Sequence, residues 1–219
     1  GDKKTMEKLL KRLQAGDDIA LISDAGTPLI SDPGYRIVAE ARKREITVAP
    51  IPGACAAIAA LSVSGLPTDS FYFGGFLPVK SGQRKTALSA LKSSTNTLVF
   101  YEAPHRILET VEDLLDVFGG QRQAFMGREI SKAFETFLQG DLTQLRQQIA
   151  EDSNQQRGEI VLVIAGTDEK AETSAVDPEM VLKLLLKELP TSKAASLTAK
   201  ICGLDKKAIY QTALRLQDK

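Results

Sequence analysis

The sequence has no tryptophan, a single histidine (His105) and only two cysteines, Cys55 and Cys202, in 219 residues. One histidine and two isolated thiols without a C-x-x-C spacing give no support to a zinc site or a Cys–His nucleophile pair. No run approaches the roughly 18 apolar residues that span a bilayer, and no signal peptide is present. Net charge is also missing: Lys plus Arg and Asp plus Glu are both 28, so no overall field draws the chain toward nucleic acid or membrane. Any polyanion site must be a local patch. Few cysteines and no export signal fit a reduced, cytoplasmic setting.

What is present is a series of apolar runs, each ending in a turn. Ile19 to Ile22 leads into Ser23-Asp24-Ala25-Gly26-Thr27-Pro28, and Ser31-Asp32-Pro33-Gly34 then opens a helical pattern. The run reads as a buried parallel strand, with Asp32 as N-cap and Pro33 as first helical residue. Thr47 to Ile51 leads into PGACAA, Thr97 to Tyr101 into EAPHR, and Ala124 to Met126 into Gly127-Arg128-Glu129-Ile130-Ser131-Lys132. Gly158-Glu159 precedes Ile160 to Ala165. Loops at the carboxyl ends of parallel strands are where open α/β sheets bind ligands.

In this order, SDAGTPLISDPG, PGACAA, FYEAPHR, REISK and RGEIVL resemble the tetrapyrrole methylase superfamily. Within it they are most similar to the ribosomal RNA small subunit methyltransferase I branch. The resemblance implies two α/β domains with a cleft for S-adenosyl-L-methionine between them, and methyl transfer to a cytidine ribose 2′-oxygen of 16S ribosomal RNA. It also implies a homodimer paired through the α/β domains. Members of the branch carry further residues before the equivalent of Gly1, including the first strand and a turn of the cofactor pocket. The chain is therefore expected to be N-terminally truncated.

The expected organisation is the remainder of an α/β domain over 1–68, a second α/β domain over 69–166, a polar linker over 167–177 and a helical appendage over 178–219. Strands are expected at Phe71–Phe76, Thr97–Tyr101, Gln123–Met126, Thr136–Gln139 and Ile160–Ala165. The appendage has eight Lys or Arg against four Asp or Glu. Asp177-Pro178 caps its first helix, Ser192 or Thr191 its second and Asp205 its third, which starts with Lys206 and Lys207. Two helices joined at Gly203-Leu204, the second opening on basic residues, describe a helix-turn-helix. A nucleic-acid grip and a plain packing or dimerisation unit are both compatible with that pattern, and the resemblance favours RNA.

Methyl transfer to a ribose hydroxyl needs alignment of oxygen, carbon and sulfur and a group to take the hydroxyl proton. It needs no metal. By resemblance Asp24, Ala25, Gly26, Thr27, Cys55 and Ala56 form walls of the cofactor cleft, and Tyr101 and Glu102 reach it from the second domain. Tyr101 read plainly is a core aromatic, and Glu102 a cap for the helix near His105. Arg128, Glu129, Lys132 and Glu135 put four charges in eight positions at a strand end, hard to bury unless they pair or face a ligand. Lys132 with a lowered pKa could accept the proton and Arg128 could hold a phosphate. A Glu129–Lys132 ion pair is the plainer reading. Lys80, Arg84 and Lys85 lie in a small, basic segment that reads as a lid or phosphate grip, or as an ordinary solvated loop. Competing functions are a tetrapyrrole or diphthine-type methyltransferase and a catalytically incomplete fragment that binds RNA or dimerises.

Overall fold

The computed structural model describes residues 3–167 and 178–217. The chain divides into two compact units, Gly1–Thr167 and Asp168–Lys219. The division expected at 68/69 falls inside the first unit, and the expected linker lies, from residue 168 on, outside the described residues.

The first unit opens with three helices. In α1 (Lys3–Gln14), Leu10 is buried and Met6, Leu9 and Leu13 are half-buried, as their spacing predicts. It packs on α2 (Tyr35–Lys43), which buries Ala41, and the Arg44 guanidinium lies 2.6 Å from Glu7. Neither apolar run flanking α2 becomes a strand. Segments 19–22 and 47–51 join no ladder, and Ile22 and Ile51 are each 85% exposed. A strand exists only where a neighbouring segment takes up its N–H and C=O groups, and no described strand pairs with either run; the Val48 carbonyl accepts from the Arg42 side chain instead. The start of α2 is also later than expected. Gly34, at φ 127°, is the N-cap, and this non-helical backbone leaves Asp32 and Pro33 outside the helix. The Asp32 carboxylate instead accepts the Ser23 hydroxyl.

The third helix, α3 (Ala56–Val63), is apolar all round and buries Ala57, Ala60 and Leu61. Its small side chains let it lie close on one face of a sheet, against Val99, Phe125, Val161 and Val163. It ends at Ser64, and Gly65 follows in the left-handed region at φ 71°, where glycine carries no steric cost.

The sheet has five strands, β1 (Phe71–Phe76), β2 (Thr97–Glu102), β3 (Gln123–Arg128), β4 (Thr136–Asp141) and β5 (Ile160–Ile164), in the order β1-β2-β5-β3-β4. β1 runs parallel to β2, and the other pairs are antiparallel. All five residues of central β5 are buried, because both faces are covered. Leu98, Phe100, Met126, Leu162 and Ile164 form the core shared with α4 (Ser81–Ser89), α5 (Ile107–Phe118) and α6 (Leu142–Glu151). Val99, Phe125, Val161 and Val163 face α3. The alternation is the period of two that a pleated strand imposes.

The second unit holds α7 (Pro178–Leu185), α8 (Thr191–Cys202) and α9 (Lys206–Gln217) around its own core of Leu182, Ala194, Ala195, Ala199, Ile209 and Ala213. The N-cap of α8 is Pro190, with neither Thr191 nor Ser192 in that place. Gly203 closes α8 at φ 65°. The Asp205 carboxylate accepts the N–H groups of Lys207 (2.9 Å) and Ala208 (3.0 Å), as expected of a cap. The cap expected at Asp177 lies outside the described residues.

Candidate functional site

The loop between α1 and α2 is held in shape by side chains of its own. Thr27 donates its hydroxyl to the Ala54 carbonyl at 2.9 Å. Gly26 has φ 69°, and a Cβ there would come 3.3 Å from the same carbonyl. Leu29 (φ 73°) and Ser31 (φ 62°) take left-handed backbone without being glycine. Each such residue costs on the order of 1–3 kcal/mol and persists only where its surroundings enforce it. Gly75, at a register shift in β1, leaves room for Ser31, since a Cβ there would stand 3.2 Å from Ser31 Oγ.

Ala25, Gly26 and Thr27 thereby form one wall of a cavity of about 180 Å³. Cys55 and Ala56, at the start of α3, form the second, and Phe76 and Tyr101 the third. Glu159, Ile160 and Val161 close it, and Ile30, Ser31 and Asp32 complete the rim. Phe73 and Phe76 grip the Tyr101 ring, with centroids 5.0 and 5.6 Å away. Burial pushes the Tyr101 phenol up, and so does the Cys55 thiol, against the opposing pull of the Ala57 N–H. The cavity, about 180 Å³, is small against the roughly 300–1,000 Å³ of most ligand sites, room for only part of a nucleoside-sized molecule. A larger concavity, about 1250 Å³, runs along the open side of α1 and contains none of the motif residues.

Six of the eight expected cleft residues meet here: Ala25, Gly26, Thr27, Cys55, Ala56 and Tyr101. The other two do not. Asp24 is exposed and outside the lining. Glu102 is on the wrong face of β2, since neighbours on a strand point opposite ways. Tyr101 faces the cleft, while the Glu102 side chain is fully buried and ion-paired with Arg106 at 2.5 Å. Its two oxygens also take the Thr110 hydroxyl (2.6 Å) and the Ala103 N–H (2.7 Å). It is an interior fastener of the turn after β2.

The REISK segment corrects two further expectations. Arg128 is buried, with Nε donating to the Thr136 hydroxyl (2.8 Å) and Nη2 to the Phe134 carbonyl (2.9 Å), so its guanidinium ties the β3–β4 hairpin together and is absent from the lining of the cavity. Lys132 is pinned between Glu129 (2.9 Å) and Glu159 (3.1 Å). Its pKa is raised by the hydrogen bonds its ammonium donates to these two carboxylates, first Glu129 and then Glu159, where a base would need it lowered. Glu129 accepts the Glu159 N–H at 2.8 Å and donates its own N–H to the Glu159 carbonyl at 2.9 Å.

The basic segment after β1 is helix rather than lid. Lys80 is exposed. Arg84 is 0% exposed, lies 2.6 Å from Asp113 and donates to the Pro78 and Val79 carbonyls. Lys85 is paired with Asp116 at 2.6 Å and Asp113 at 3.4 Å. The period of α4 turns Arg84 onto α5. Lys206 and Lys207 are exposed in the first turn of α9. Among the described residues no group of three or more His, Cys, Asp or Glu could hold a metal, and no helix is long and apolar enough to cross a membrane.

Sequence reasoning missed Ser31, Asp32, Phe76 and Glu159. The first two belong to the motif that carried the resemblance, and Glu159 to RGEIVL. Only the fold brings Glu159 beside Lys132.

Residues 2–146 match the family of Tetrapyrrole (Corrin/Porphyrin) Methylases, about two thirds of the chain. The chain belongs to that family. Residues 172–217 match the RsmI C-terminal HTH domain. The Ribosomal RNA small subunit methyltransferase I of Pseudomonas aeruginosa is 52% identical over 214 residues, 97% of this chain and 76% of that protein. Two solved tetrapyrrole methylase folds are far more distant in sequence. The methyltransferase CobJ superposes with a TM-score of 0.55 at 14% identity, covering 74% of this chain and 70% of that one. A Thermus thermophilus uroporphyrin-III C-methyl transferase, complexed with S-adenyl homocysteine, gives 0.50 at 16% identity, covering 75% and 73%. At these identities the structures show the tetrapyrrole methylase fold and nothing finer.

Proposed function

We propose that this chain is an S-adenosyl-L-methionine-dependent methyltransferase acting on ribosomal RNA of the small subunit, with the 2′-oxygen of a cytidine ribose as acceptor. Relatives of that name at half identity over nearly the whole chain support the RNA substrate. The observation that carries the site is the cavity between Ala25–Thr27, the start of α3 and Tyr101. Its residues suit the donor. Small walls at Ala25, Gly26 and Ala56 let backbone come close to a ligand, Ile30, Ile160 and Val161 give an apolar side, and Ser31 and Asp32 supply polar contacts. S-adenosyl-L-methionine, when bound, provides a methyl group already activated by a positive sulfur. The chain's own work is to align the acceptor oxygen, exclude water and hold the proton that leaves it.

The setting that follows is cytoplasmic, with the small subunit as partner. The homodimer implied by the family is part of the same proposal and is checked by sedimentation. The test of function is transfer of labelled methyl to small subunits from cells lacking the enzyme. A 2′-O-methyl blocks attack on the neighbouring phosphate, so the product is expected as one alkali-resistant linkage at a cytidine. Label on a base, or only on a tetrapyrrole or a protein, would overturn the reading.

A further inference from the structure

Glu159 is the one carboxylate of the Glu129–Lys132–Glu159 cluster that also lines the cleft. Its backbone is fixed by the reciprocal pair with Glu129, whose N–H and carboxylate take the Glu159 carbonyl and N–H at 2.9 and 2.8 Å. That approach depends on Gly158, at φ 77°, where a Cβ would fall 2.6 Å from the Glu129 carboxylate. Gly158 therefore has both a backbone and a packing reason to be glycine. Beyond Glu159 begins β5, whose Val161 is in register with Tyr101. Glu159 thus stands immediately before the central strand and lines the same cavity as Tyr101.

The three charged groups divide their work. Glu129 takes the Glu159 N–H and the Lys132 ammonium on one oxygen, Oε1, and is absent from the lining of the cleft. Lys132, held by two carboxylates, stays protonated and has no lone pair to offer. Glu159 gives one oxygen, Oε2, to Lys132 at 3.1 Å, and its side chain is 67% exposed.

We propose that Glu159 is the group that accepts the acceptor hydroxyl's proton, with Lys132 and Glu129 as positioning residues that aim it. This rests on the ribose reading above. The ribose oxygen forms a bond to the methyl carbon as the carbon–sulfur bond breaks. The electron pair of that bond stays on sulfur, which becomes a neutral thioether, and the hydroxyl proton passes to a Glu159 oxygen. Charge balances, because one sulfonium and one carboxylate give a thioether and a carboxylic acid. No further reactant is needed.

Single-turnover methylation of small subunits, with cofactor affinity and melting temperature measured alongside, tests the assignment. Glu159→Gln keeps shape and removes basicity. It is expected to lower the rate about 10²–10⁴-fold, the range for losing a general base, while still folding and binding S-adenosyl-L-methionine. Glu159→Asp, which retains the carboxylate on a shorter arm, is expected to recover part of the rate. Lys132→Met is expected to lose less than Glu159→Gln, with unchanged cofactor affinity. A folded, cofactor-binding Glu159→Gln at the unmutated rate overturns the proposal. So does an inactive Lys132→Met beside an active Glu159→Gln, which returns the role to the lysine. Failure of the unmutated chain to methylate small subunits overturns the ribosomal reading itself, before any variant is compared.

Discussion

Arg84 looked from sequence like a phosphate contact and is instead fully buried beside Asp113. Arg84→Met would leave a 7%-exposed carboxylate with only the longer Lys85 contact at 3.4 Å and the Ser81 hydroxyl, a loss of up to about 3–5 kcal/mol for breaking a buried pair. Urea unfolding is expected to show that loss, with RNA affinity per folded molecule unchanged. Gly158→Ala forces a Cβ into Glu129 from left-handed backbone, and is expected to cost about 1–3 kcal/mol and to lower methylation with it. Glu129 adds a pH signature. Its pKa is lowered, first by the Glu159 N–H and then by Lys132. A carboxylate depressed in the folded state stabilises fully above its unfolded pKa and loses that contribution as pH falls through the folded one. Stability is therefore expected to fall on the acid side, below the usual glutamate range, and Glu129→Gln to flatten that part of the curve.

Among the elements, α9 separates function from scaffolding. Its first turn carries Lys206 and Lys207, where the helix dipole disfavours cations, with Asp205 in partial compensation. Lys206→Ala with Lys207→Ala is expected to leave the melting temperature unchanged or slightly raised. If α9 grips RNA, the double variant binds RNA more weakly with a flatter salt dependence. An unchanged salt slope assigns α9 to packing instead.

The same elements show what could be read in advance. All five strands of the sheet were legible, because β-branched and aromatic runs such as Ile160–Ile164 end in unmistakable turns. The runs at 19–22 and 47–51 looked alike and formed no ladder, since pairing is a property of two segments and the pattern shows only one. Tyr101 and Glu102 were legible as a strand end, but which of the two faces the cleft depends on the register of β2 against β5. Arg128 and Lys132 were legible as charges needing partners. That their partners would be Phe134, Thr136 and Glu159 required the β3–β4 hairpin and β5 to be in place.

For the whole molecule, each unit closes its own core: the sheet with α3 to α6 in one, and Leu182 with Ala194, Ala195 and Ile209 in the other. Calorimetry is expected to resolve two transitions, and Leu162→Ala to lower only the one belonging to the first unit, by about 2–5 kcal/mol. The strand order carries a consequence for synthesis. The strand at the middle of the sheet, β5, is the last of the five to leave the ribosome. Until it does, β1–β2 and the β3–β4 hairpin are two separate ribbons, each with an open edge along β2 or β3. Those edges are what an aggregating neighbour would pair with. The nascent chain is most vulnerable while residues 128–160 are being added, and one buried pentapeptide, IVLVI, then seals both ribbons together.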